Sequence, residues 1–404
     1  MQPSVLLLSV LLAMLLGLAI GKAWERYKLR DGRWIDRRKA RESPHYLLGL
    51  NFLVSNQIDL AIDELSKAAG ENDGAIEIQM ILGDLYREKG QVGRAIQIHQ
   101  QLLQHPKLTR LEHAYALLCL GLDFRRGGFV DRAVEAFNEV LHLDPNNEYA
   151  LRNLQKLHEE QHQWAEAYAV RKRLTQLGGA AEQQRNREIL AFLENELGLE
   201  ALRRMEYADA ARHFEAAVEL ENRTVPAYLN LGDVRFYQGD PAGAAAIWER
   251  VVQAAPDRAY LTFERLESVY PKTDRPDRFP KLCEQLIAAN PQEWRARLAL
   301  GRHLSAAGQP AEALELLFQA LSHNPHALSV HQAIWRTLSQ LGLRPDLVDR
   351  YVELAREAVF YLDPHICIRC RYRSTELLWQ CPQCHEWNTF VEERIAPAKD
   401  AVEA

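Results

Sequence analysis

The chain has 404 residues, 47% of them hydrophobic and 26% charged, with a formal net charge of -6. That length leaves room for two or three domains of about 100 to 200 residues, and the composition is that of a folded chain rather than a disordered one. The mild negative charge gives no reason to expect nucleic acid as a general partner, so any basic function has to be local.

Pro3 to Gly21 is an apolar run of nineteen residues without a charge, about 28 Å as a helix and close to the roughly 30 Å of bilayer hydrocarbon. Nine Lys or Arg follow between Lys22 and Arg41, against Glu25, Asp31 and Asp36, and no basic residue precedes the run. Basic flanks stay cytoplasmic. The expectation is therefore a single-pass anchor over residues 1–21, a basic juxtamembrane segment over 22–45, and the bulk of the chain on the cytoplasmic side of a membrane. Trp24, Tyr27 and Trp34 suit the headgroup layer. The competing reading is a cleavable signal peptide with small residues at Ala19 and Gly21, but it lacks the charged leading segment such peptides carry.

The middle of the chain repeats one spacing. Gly121, Phe124, Gly128, Ala133, Phe137 and Pro145 are matched by Gly232, Arg235, Gly239, Ala244, Trp248 and Pro256, and again by Gly301, Leu304, Gly308, Ala313, Leu317 and Pro325. Gly83, Tyr86, Gly90 and Ala95 form a further copy, and Gly49, Phe52 and Ala61 open the series. Weaker copies surround Ala167, Gly198 with Ala210 and Phe214, and Tyr270 with Pro291. The pattern resembles the tetratricopeptide repeat of about 34 residues, and predicts an all-α, right-handed superhelical solenoid over residues 46–363. The first Gly lets two helices approach closely, the Gly seven residues later ends the first helix in a left-handed conformation, and the Pro stops the second. Each hairpin leaves an apolar face that a neighbour must cover, so the hairpins stack around a concave groove suited to binding rather than catalysis. Arg87, Arg125, Arg126, Arg235 and Arg302 fall on first helices of their repeats, where they are candidates to receive an acidic partner, with a solvated helix surface as the alternative.

One string here resembles an enzyme motif. HEEQH, His158 to His162, fits a zinc-protease pattern that needs both imidazoles on one continuous helix. The repeat register puts His162 at the turn, so the expectation is a solvated helix end and no catalysis. GLAIGK, Gly17 to Lys22, is one residue short of a phosphate-binding loop and lies in the apolar run.

Cys119 and Cys283 sit singly inside apolar helical patterns and read as small core residues. The other four cysteines, Cys367, Cys370, Cys381 and Cys384, form two CxxC knuckles ten residues apart. Two short thiolate knuckles supply four tetrahedral ligands, and the metal replaces a core that a segment of this size is too short to build. The expected module is a zinc ribbon over 364–392, followed by a tail over 393–404. Disulfides would require export. Iron in the same sulfur set, as in a redox carrier, is the alternative, although the interval between knuckles is shorter than such carriers use. Tyr372, Leu377, Leu378, Trp379, Trp387 and Phe390 make the ribbon unusually apolar, and most are expected to dock on the last helices of the solenoid.

Taken together, the apolar start, the basic flank, the repeats and the terminal ribbon resemble the lipopolysaccharide assembly protein B family of Gram-negative bacteria. The sharpest local points are NFLVSNQIDLAI, GDLYREKGQVGRAIQIHQ and CPQCHEWNT. The resemblance implies an inner-membrane adaptor, not an enzyme, that presents the lipid A deacetylase LpxC to the membrane protease FtsH and so limits lipopolysaccharide production. It implies a rubredoxin-like zinc module on Cys367, Cys370, Cys381 and Cys384. It is also compatible with other inner-membrane lipopolysaccharide regulators or lipopolysaccharide itself as partners, and with a homodimer. A periplasmic repeat scaffold of envelope biogenesis is the alternative of different topology.

Overall fold

The computed structural model describes residues 43–71, 76–342, 349 and 365–393. The anchor, most of the basic segment, the end of the repeat region and the tail lie outside the described residues. None of the described helices is long and apolar enough to cross a membrane. The described residues fall into two compact units, divided between Gln161 and His162.

The first unit holds α1 (Pro44–Val54), α2 (Ile58–Glu71), α3 (Ile76–Glu88), α4 (Val92–Leu103), α5 (Arg110–Arg126), α6 (Val130–Leu143) and α7 (Glu148–Glu160). The second holds α8 (Trp164–Leu177), α9 (Ala180–Arg203), α10 (Tyr207–Leu220), α11 (Val225–Tyr237), α12 (Pro241–Ala254), α13 (Phe263–Val269), α14 (Arg278–Ala289), α15 (Trp294–Ala306), α16 (Pro310–His323) and α17 (Leu328–Gln340). Antiparallel hairpins recur as α1–α2, α3–α4, α5–α6, α9–α10, α11–α12 and α15–α16.

One contact defines each of these hairpins. A Cβ placed on Gly49, Gly83, Gly121, Gly198, Gly232 or Gly301 would stand under 3 Å from Leu65, His99, Phe137, Phe214, Trp248 or Leu317 respectively. Each glycine thus removes the side chain that would hold the second helix away, and the residue sixteen positions later fills the space. The turns repeat as faithfully. Gly90, Gly128, Gly239 and Gly308 have φ near +80°. The residue after each donates its N–H five positions back, as Gln91 does to Tyr86 O at 2.8 Å and Phe129 to Phe124 O at 2.8 Å, which satisfies carbonyls left open at the helix end. Pro145, Pro256 and Pro325 follow two residues after α6, α12 and α16.

Three copies make the same turn without glycine, at Asn56, His162 and Met205, with φ between 56° and 61°. His162 therefore lies beyond the end of α7, so no continuous helix carries both histidines of HEEQH. The expectation of a solvated helix end fails for Glu159, which is 3% exposed and accepts from Gln155 Nε2 at 2.7 Å. It is a core polar residue of α7. The weak copy around Tyr270 is the least regular, with 3-10 turns at Pro256–Thr262 and Tyr270–Lys272 flanking a seven-residue α13. Tyr270 nonetheless anchors it, buried, its hydroxyl 2.7 Å from Glu249 Oε1.

Candidate metal centre

After the helices come three short strands, β1 (His365–Cys367), β2 (Arg373–Ser374) and β3 (Phe390–Glu392), in the order β2-β1-β3 with both pairings antiparallel. The two knuckles are built alike. The N–H of Arg371 donates to Cys367 O at 2.9 Å and that of His385 to Cys381 O at 2.9 Å. Arg371 and His385 both take positive φ, 64° and 55°, so each knuckle turns its two sulfurs to one side.

All four sulfurs lie within 4.8 Å of one another. Cys367 and Cys384 Sγ are 3.7 Å apart and Cys370 and Cys381 Sγ 3.5 Å apart. A tetrahedral ion with bonds of about 2.3 Å to sulfur has an edge of about 3.8 Å, so the set is already near coordination geometry. Cys367 and Cys381 are fully buried against Phe390, with Leu377 and Leu378 packed beside them. Burial opposes ionisation of Cys367, but the Thr389 hydroxyl and the backbone N–H groups of Cys370 and Arg369 bring its thiol down to about 6. Burial, and then the neighbouring cysteines, push Cys384 up to about 12. Four thiolates this close repel one another, so the fully ionised set requires a cation at its centre. The ribbon's donors fit a thiophilic metal.

The ribbon is seated on helices of the second unit. Trp387 is 3% exposed and stacks on Phe192 of α9, with ring centroids 5.4 Å apart and planes 17° apart. Its edge meets Trp164 of α8 at 6.3 Å. Trp379 also lies against Phe192. Arg185 of α9 donates to Glu386 Oε2 at 3.0 Å and to the Trp387 carbonyl at 3.1 Å, and Arg295 of α15 pairs with Glu392. This corrects the expected docking on the last helices. Among the described residues, Trp387 reaches into the helical core at α8 and α9 and Trp379 packs there and on the neighbouring cluster of Ala191, Val225 and Ala255, while Leu377, Leu378 and Phe390 build the ribbon's own interior. Tyr372 packs edge-on to Phe390.

The five candidate arginines are scattered and mostly engaged. Arg87 is 14% exposed at its side chain and held by Asp84 and Asp123. Arg125 donates to Asn153 Oδ1 at 2.8 Å and pairs with Glu160 at 2.6 Å, and Arg235 pairs with Glu215 at 3.1 Å. Arg302 reaches the Ser329 carbonyl at 3.3 Å, and Arg126 is exposed. Arg87 and Arg125 tie neighbouring helices together instead of presenting open guanidinium groups. Cys119 and Cys283 are buried, and burial pushes each thiol up to about 12, so both are inert core thiols in a metal-free chain. The sequence reading missed the Arg185 and Arg295 clamps on the ribbon, because nothing in their local sequence distinguishes them from other helical arginines.

Residues 365–392 match the rubredoxin metal binding domain, and residues 80–114, 195–264 and 281–340 match tetratricopeptide repeats. The chain is 26% identical to lipopolysaccharide assembly protein B of Escherichia coli (strain K12) over 352 residues, 87% of this chain and 89% of that one. It is 26% identical over 397 residues to the protein of that name from Haemophilus influenzae, covering 94% and 97% of the two chains. Among solved structures, the C-terminal part of a tetratricopeptide-repeat protein from Cytophaga hutchinsonii aligns with a TM-score of 0.42 at 14% identity, covering 62% of this chain and 98% of that one. The chain is a relative of lipopolysaccharide assembly protein B, built of tetratricopeptide repeats and a terminal rubredoxin metal binding domain.

Proposed function

We propose that this protein is a membrane-tethered scaffold of lipopolysaccharide biosynthesis that captures the deacetylase LpxC on its cytoplasmic side and presents it to the protease FtsH. The observation that carries this reading is the joining of binding repeats to a metal-built ribbon in one unit, in a chain related along 87% of its length to lipopolysaccharide assembly protein B. The apolar run and basic flank support placement at the inner membrane, where tethering raises the effective concentration of a partner without any new contact. Zinc is the metal proposed for the four thiolates, since it favours a closed tetrahedral sulfur set and brings no redox chemistry. It would be held by Cys367, Cys370, Cys381 and Cys384, and its work there is structural. The test is the half-life of LpxC in cells whose own scaffold is deleted and replaced by this chain, full-length or lacking residues 1–21. Full-length protein shortens the half-life and the truncated chain fails at native expression level. Equal control by both would remove the tether from the account, and no control by either would remove LpxC.

A further inference from the structure

A second cluster of metal-ligating side chains lies in the first unit, far in sequence from the ribbon. One imidazole nitrogen of His99, the Cys119 sulfur and a carboxylate oxygen of Asp84 lie within 4.8 Å of one another. The repeat register makes His99 anomalous. It stands sixteen residues after Gly83, where the other hairpins place Leu65, Phe137, Phe214, Trp248 and Leu317. A core apolar position has been given to a ring with two polar atoms, and both must be accounted for.

Nδ1 is accounted for. It lies 2.5 Å from Asp123 Oδ2, and both side chains are fully buried. An ionised carboxylate only accepts, so Nδ1 carries the proton and the lone pair is on Nε2. Nε2 is buried and has no hydrogen-bond partner among the described residues. Protonating it would not help, because it would then be a donor with no acceptor. A carboxylate on one imidazole nitrogen, with the other buried and unpaired on a ring that has a thiol and a second carboxylate within reach, is the arrangement that orients a histidine toward a metal.

We propose that His99 Nε2, Cys119 Sγ and Asp84 form a second metal site, for zinc. Bonds of about 2.0 to 2.3 Å require ligand atoms roughly 3.3 to 3.8 Å apart, so the three side chains draw together on the ion. Charge also balances. Asp84, Asp123 and a Cys119 thiolate carry three negative charges, and Arg87, which pairs with Asp84 at 2.5 Å and Asp123 at 2.9 Å, together with a divalent cation, carries three positive. Arg87 thereby holds both carboxylates in place, Asp123 behind the imidazole and Asp84 beside the sulfur. The Asp84 side chain is 30% exposed, which leaves a path for the ion and a fourth position for water. His99 and Asp84 come from the α3–α4 hairpin and Cys119 from α5, so the ion would link two consecutive repeats.

The test is zinc titration of the full-length chain in the Cys381→Ser, Cys384→Ser background, which removes the ribbon site. That variant should bind one zinc per chain, and adding His99→Phe or Cys119→Ala should abolish it. Phe is the residue that Phe137 and Phe214 place at this repeat position, so His99→Phe is expected to fold, and Cys119→Ala leaves the His99–Asp123 pair intact as an independent check. With cobalt in place of zinc, sulfur-to-metal absorption should persist in the ribbon variant and vanish with Cys119→Ala. Absence of zinc binding in the ribbon variant overturns the proposal, as does a bound equivalent that survives both His99→Phe and Cys119→Ala.

Discussion

The repeats and the ribbon solve the same problem with different means. An α5–α6 hairpin buries Ala133, Ala136, Phe137 and Val140 from one helix against Leu117, Leu120 and Phe124 of the other, and its neighbours cover what is left. The ribbon has a fully enclosed core of Cys367, Cys381 and Phe390, far too little apolar surface to hold a fold of its size. Stability in the repeats is spread along the chain, whereas in the ribbon it is concentrated at one ion and at two tryptophans. The difference teaches where each region is vulnerable: a ribbon variant should fail locally and completely, a repeat variant by degrees through its neighbours.

The sharpest way to break the ribbon is to remove half its ligands. Cys381→Ser with Cys384→Ser forfeits a structural ion's binding free energy, on the order of 10 kcal/mol in small zinc domains. Metal analysis should find the ribbon site empty, and far-UV circular dichroism should show the helical signal retained. The repeats break most severely at Ala133, which is 0% exposed. Ala133→Glu buries an unpaired charge at a helix crossing and should cost several kcal/mol, read as a lowered urea midpoint and early loss of protection in α5 and α6.

How far the sequence alone exposed these two regions differs in an informative way. The repeat was legible because glycine is required at two fixed places, the close crossing and the left-handed turn, and the offsets survive even where Asn56, His162 and Met205 replace the turn glycine. Both knuckles were legible because ligand spacing is chemistry that no packing overrides. Glu159 was misjudged, and His99 passed over, for the opposite reason. A polar residue at a core position announces itself only when its register is compared with other copies, and for His99 that comparison with Phe137 and Trp248 was available. The seat of Trp387 on α8 and α9 was beyond reach, since composition says that a surface is apolar but not which distant surface it matches.

Trp387→Ala probes that seat. It removes the ring stacked on Phe192 without touching a ligand, so the ribbon should keep its metal while docking weakens by about 3 kcal/mol. A rise in fluorescence quenching of Trp379, with unchanged metal content, is the expected signature. The smallest effect sharpens the turn argument. Met205 is 75% exposed with φ of 61°, so Met205→Gly should stabilise the second unit by about 0.5 to 1 kcal/mol by relieving left-handed strain, measured as a raised Tm.

If a metal-built ribbon completes the helical scaffold by docking on α8 and α9, amide hydrogen exchange on the full-length chain should register it before and after removal of metal by a chelator. Residues 365–393 should lose protection, the Ile189–Leu193 stretch of α9 part of its own, and α16 and α17 none of theirs. Unchanged protection of the ribbon after the metal is gone, or no change at α9 when the ribbon unfolds, would contradict it.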